Sequence, residues 1–115
     1  MTAQLVAGRG DLEVGETLHL ELDSADGTMV EVALVHAEDG KFYALSDVCS
    51  HAQVSLSEGE VDGLTLECWL HGSTFDLRTG APLSLPATRP VPVYPVSYQG
   101  DDVLVDVDNP LAYIV

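Results

Sequence analysis

Basic residues are nearly missing from the chain: four Lys and Arg stand against 19 Asp and Glu, giving a formal net charge of -15 and an isoelectric point near 4.1. Binding to a phosphate backbone or an anionic membrane surface rests on Lys and Arg displacing counterions, so neither nucleic acid nor membrane is an expected partner. Long apolar runs are missing too, the longest falling far short of the ~20 residues that cross a bilayer. No basic stretch followed by an apolar segment is visible in Met1 to Arg9, so a cytoplasmic protein is expected. Helical periodicity is absent: no stretch of a dozen residues carries a 3.6-residue apolar repeat. The charge does not signal disorder, because 46% of residues are hydrophobic and the acids are scattered. Residues 1–115 are expected to form one acidic domain that removes roughly two-thirds of the chain's surface from water.

Short alternating or β-branched runs recur at Gln4 to Ala7, Thr17 to Leu22, Met29 to His36, Phe42 to Ser46, Leu64 to Cys68, Ser73 to Leu77, Val93 to Tyr98 and Val103 to Val107. Between them stand Asp26-Gly27, Asp39-Gly40, Asp62-Gly63, Thr79-Gly80 and Gly100-Asp101, pairs that tolerate the positive φ of tight turns. The pattern predicts an all-β fold with nearly every link a hairpin, a small antiparallel β-sandwich or barrel with little helix. From Leu83 to Pro95 repeated prolines fix φ and remove donors, so this segment should be stiff, extended and largely unpaired. The apolar end of the tail from Asp108 to Val115 is expected to pack on the domain.

Two cysteines occur, Cys49 and Cys68, and in a reducing compartment such a pair is more often metal-binding or catalytic than a disulfide. Each is followed closely by a histidine, in Cys49-Ser50-His51 and Cys68-Trp69-Leu70-His71, with 16 residues between His51 and Cys68. Two thiolates and two imidazoles delivered by two loops form the donor set of a mixed sulfur and nitrogen metal site. Structural zinc takes the same donors, but C-x-H is a poor zinc-finger spacing.

The string C-x-H, sixteen residues, then C-x-x-H-G-S strongly resembles the Rieske iron-sulfur motif. Ser57-Glu-Gly59, Phe75-Asp-Leu-Arg-Thr-Gly80 with Pro82, and Val91-Pro-Val-Tyr-Pro-Val96 extend the resemblance to single-domain Rieske ferredoxins along essentially the whole chain. It implies a Rieske-like β base carrying a cluster-binding part at about 46–86, with one 2Fe-2S cluster per chain. Cys49 and Cys68 would hold the inner iron, and His51 and His71 the outer. Ser73 would donate toward cluster sulfur, Trp69 and Leu70 would give apolar cover, and Pro82 to Pro86 would form a third, shielding loop. Respiratory Rieske proteins add a bridging cysteine pair where Val54 and Leu70 stand here, and a tyrosine where Phe75 stands. With that hydroxyl absent and Glu58, Glu60, Glu67 and Asp76 nearby, the potential should lie toward the low end of the roughly -150 to +300 mV Rieske range.

The resemblance implies an electron-transfer component rather than an enzyme, with no catalytic residue. It would carry one electron from a reductase to an oxygenase-type acceptor, and the net charge of -15 would steer it toward basic docking surfaces on both. The oxygenase itself has a further large domain with a mononuclear iron site, which this chain is too short to contain. Alternatives are a redox or accessory protein of iron-sulfur cluster assembly, which Glu67 to Ser73 and Leu85 to Val91 also resemble, and the small subunit of a nitrite-reductase-type enzyme. Outside the motif, His19 and His36 read as solvent-facing strand residues without function. Asp47 reads as a cap or acceptor within the first loop, and Arg78 as a local partner for Asp76 or Glu67.

Overall fold

Val32, Ala33, Leu34 and Val35 are all closed to solvent, and because consecutive strand residues point to opposite faces, this run needs a packing layer on each side. The computed structural model, which describes residues 3–48, 55–69, 72–84, 91–108 and 110, supplies both layers. Among the described residues there are ten strands: β1 Gln4–Gly8, β2 Thr17–Asp23, β3 Met29–His36, β4 Phe42–Ser46, β5 Glu60–Asp62, β6 Thr65–Glu67, β7 Thr74–Asp76, β8 Val93–Tyr94, β9 Val96–Gln99 and β10 Asp102–Val105. No α-helix occurs among these residues, only short 3-10 turns at Arg9–Asp11 and Leu56–Glu58.

The central sheet has the antiparallel order β2-β3-β4-β8. On one face Val32, Leu34, Phe42 and Ala44 pack with Val103 and Val105 of the β1-β10-β9 sheet. On the other, Ala33, Val35 and Leu45 pack with Leu56, Leu66, Cys68, Phe75 and Leu77, in and around the β5-β6-β7 sheet. Full burial of each Leu or Phe in these layers contributes about 1.5–3 kcal/mol. The all-β expectation holds, with β3 and β4 at their expected bounds.

Several details differ from the sequence pattern. The run from Val93 to Tyr98 is two strands in two sheets, because Pro95 has no N–H for a ladder; its carbonyl instead accepts from the Asp106 N–H at 3.1 Å. β5 was not expected at all. Hairpins join β2 to β3, β3 to β4, β5 to β6, β6 to β7 and β9 to β10, whereas β1 pairs with β10 and the β4–β5 and β7–β8 links are longer loops. The Asp-Gly turns form as expected, with Gly27 and Gly40 at φ 86° and 83°. Residues 85–90 of the proline-rich segment and 111–115 of the tail lie outside the described residues.

Candidate metal centre

β6 runs straight into Cys68, and the chain then closes on itself. The Cys68 N–H donates to the Ser73 carbonyl at 2.6 Å, and the Gly72 N–H donates back to the Cys68 carbonyl at 3.0 Å. The reversal places Gly72 at φ 76°, a conformation that side-chain-bearing residues rarely adopt. Cys68 is a free thiol, wholly buried in the apolar layer with Leu56, Leu66 and Phe75, while its neighbour Trp69 is 49% exposed. Ser73 is also buried. A rigidly held, buried, unoxidised cysteine fits a thiolate ligand, because an apolar wall excludes competing water and the metal supplies the compensating charge.

The base of the other loop is closed with equal care. Val48 and Ser55 face each other as an isolated antiparallel bridge, and the Leu56 N–H donates to the Asp47 carbonyl at 2.8 Å. The Asp47 side chain, 1% exposed, accepts from the Ser57 N–H at 2.6 Å and the Ser57 hydroxyl at 2.9 Å. Its backbone N–H reaches the Glu31 carbonyl of β3 at 3.0 Å. From β2, His19 Nδ1 bonds Asp47 Oδ2 and the Thr17 hydroxyl donates to the Ser57 carbonyl. The hydrogen bond to Asp47 raises the His19 pKa above its ordinary 6.5, against a smaller opposing effect of burial.

A third segment closes over the start of β7. Phe75 pairs with Pro82, the Leu83 N–H donates to the Thr74 carbonyl at 2.7 Å, and the Ser84 hydroxyl accepts from the Thr74 N–H at 3.0 Å. Among the described residues, Val48 at 37%, Trp69 at 49% and Leu83 at 53% are exposed apolar side chains of these segments. β5 and β6 set Glu60 directly opposite Glu67, both exposed, with Glu67 one residue before Cys68.

Of the expected site residues, Cys68, Trp69, Ser73 and Phe75 are gathered around the β6–β7 reversal. Cys49, His51, His71 and Pro86 lie outside the described residues. Asp47 acts as the expected acceptor, and Arg78 pairs with Asp76 through Nη2 at 3.1 Å and Nε at 3.2 Å. His36 is half-buried, with Nδ1 2.8 Å from the Leu12 carbonyl and its ring stacked on Phe42. His19 was given no role; its ring is 38% exposed, but it holds a buried carboxylate 28 residues away. No local sequence signal marks that pair.

The sequence profile of the Rieske [2Fe-2S] domain matches residues 2–95. The 3-phenylpropionate/cinnamic acid dioxygenase ferredoxin subunit of Escherichia coli (strain K12) is 42% identical over 97 residues, 84% of this chain and 85% of that one. The ferredoxin of carbazole 1,9a-dioxygenase from Nocardioides aromaticivorans IC177 superposes with a TM-score of 0.80 at 35% identity, covering 92% of this chain and 98% of that one. A chain from the complex of reduced oxygenase and oxidized ferredoxin in carbazole 1,9a-dioxygenase does so at 34% identity and TM-score 0.80, covering 89% and 99%.

Proposed function

The chain belongs to the Rieske [2Fe-2S] domain family, and from that premise we propose that it is a one-electron carrier taking electrons from a reductase to an oxygenase-type acceptor. What supports this most is the match, along 84% of this chain and 85% of the relative, to a ferredoxin subunit of a dioxygenase. Residues 1–115 act as one Rieske unit whose cluster-binding part spans about 46–86, working in the cytoplasm. Cys68 and Cys49 hold one iron and His51 and His71 the other. The bound 2Fe-2S cluster supplies a reversible one-electron couple, and two neutral imidazoles in place of thiolates make it easier to reduce than a four-cysteine cluster.

The chain's own residues do the rest. The Cys68–Ser73 and Gly72–Cys68 hydrogen bonds fix one ligand before any electron arrives, so little reorganisation accompanies transfer. Leu56, Leu66 and Phe75 keep water from the thiol. Val48, Trp69 and Leu83 are exposed apolar side chains available for contact with a partner. Glu60 and Glu67 are directly opposed like charges, an arrangement that destabilises the strand pair. A basic docking surface on reductase or acceptor relieves that repulsion, and the net charge of -15 steers encounter toward it.

The test is direct. The purified protein should be red-brown, with an EPR signal of low average g on reduction; a colourless protein holding stoichiometric zinc overturns the cofactor assignment. A reducible cluster that exchanges electrons with neither reductase nor Rieske oxygenase overturns the carrier role.

A further inference from the structure

The edge strand β2 lays two side chains on the base of the first loop. Thr17 and His19, two residues apart and so on one face, bond Ser57 and Asp47 respectively. Asp47 is thereby held from three sides: β3 through the Glu31 carbonyl, the Leu56–Glu58 turn through Leu56 and Ser57, and β2 through His19. A carboxylate taken out of water needs a cation, and the chain has few. Arg9 lies over the Tyr98 ring, Arg78 is paired with Asp76, Lys41 is exposed on the β3–β4 turn, and Arg89 lies outside the described residues. Among the described residues, His19 is the group able to carry a positive charge that reaches Asp47.

The charged groups facing His19 are all acids. Glu21 on β2 has its carboxylate 3.8 Å from Nε2, Glu31 comes from neighbouring β3, and Asp47 comes from the loop. Donor atoms of His19, Glu21 and Glu31 all lie within 4.8 Å of one another. The Leu56–Glu58 turn adds the uncharged Ser57 and an exposed Glu58. Such surroundings favour the protonated ring, the direction in which its pKa is moved.

We propose that protonated His19 is a positioning residue for the cluster, fixing through Asp47 the base of the loop that carries Cys49 and His51 and balancing the Asp47 charge beside it. This rests on the assignment of Cys49 and His51 as ligands. Adding an electron to the cluster strengthens the hold on the His19 proton, and by reciprocity losing that proton disfavours reduction. His19 is thus a proton site linked to the redox couple but separate from the ligand imidazoles.

The experiment uses the cluster-loaded protein at constant ionic strength. Voltammetry across pH should show the wild-type midpoint falling through a step centred above pH 6.5. In His19→Gln, which keeps a hydrogen-bond donor but no charge, that step should vanish, and the low-pH midpoint should drop to the level the wild type reaches above the step. Any alkaline step from ligand imidazoles should remain in both. Cluster release to a chelator at low pH should be roughly tenfold faster in the variant, at the lower end of effects seen when supports of metal ligands are removed. A variant that follows the wild type at every pH overturns the proposal. If the variant does not fold, NMR titration of His19 in the wild type decides, with a higher pKa in the reduced than in the oxidised protein expected and equal values overturning it. The ligand assignment is judged separately: His51→Cys should change the EPR spectrum and lower the midpoint, and an unchanged spectrum breaks that premise whatever His19 does.

Discussion

Gly59 and Glu67 meet backbone to backbone: a Cβ on Gly59 would stand 1.7 Å from the Glu67 carbonyl oxygen. Gly59 follows the turn that closes the first loop, and Glu67 precedes Cys68 of the second, so this contact joins the bases of both. Its φ of -85° suits any residue, and only the close approach demands glycine.

Gly59→Ala must therefore push β6 away and carry Cys68 with it. Overpacking of this kind costs about 1–3 kcal/mol. The melting temperature and the iron content per purified chain should both fall. A variant with full iron content and unchanged melting would show that the two loops are positioned independently.

Glu60→Gln should move stability and function in opposite directions. Removing one of two directly opposed carboxylates should stabilise the fold, read as a higher urea midpoint. Electron transfer with a basic partner should become slower at low salt and less sensitive to added salt, because screening acts on the charge that was removed. Equal salt dependence in stopped-flow traces would place the docking contact elsewhere, on the apolar side chains of Val48, Trp69 and Leu83.

Stability should also depend on pH through His19. Its folded pKa is raised above 6.5, chiefly by the hydrogen bond to Asp47. The stabilisation is then fully present below pH 6.5 and is lost as pH rises through the folded value. The stability gap between wild type and Asp47→Asn in urea should be widest below pH 6.5 and narrow above it. A gap that widens with pH would contradict the ion pair.

The proposed donor set rests on the sequence, where C-x-H and C-x-x-H are local spacings, and of its four residues the structure describes Cys68. β3 and β4 were legible because Met29–His36 and Phe42–Ser46 are largely apolar runs, each preceded by an Asp-Gly turn. β5 was not, since Glu60-Val61-Asp62 has one apolar residue and gains its strand only by pairing with β6. The supports of the first loop were hidden for the same reason. Asp47 and Ser57 stand 10 residues apart, and His19 another 28 residues from Asp47 on a different sheet strand, so only the assembled fold brings them together.

Ser73→Ala bears on the potential rather than the fold. Ser73 is buried, and its carbonyl receives the Cys68 N–H at 2.6 Å, so the backbone that holds the ligand survives the substitution. What is lost is the hydroxyl proposed to donate toward cluster sulfur, and hydrogen bonds to sulfur favour the more negative, reduced state. A hydrogen bond to a charged group is worth about 1.5–3 kcal/mol, and for a one-electron couple a tenfold change, about 1.4 kcal/mol, is 59 mV. Part of that bond already exists in the oxidised state, so the midpoint should fall by less than about 130 mV, with iron content unchanged. Phe75→Tyr should act the other way, returning a hydroxyl to a buried position. It should raise the midpoint if the oxygen meets sulfur, and lower stability by about 1–3 kcal/mol if the hydroxyl is left without a partner in the apolar layer around Leu66 and Leu56. Voltammetry and urea unfolding on the same preparation separate the two outcomes.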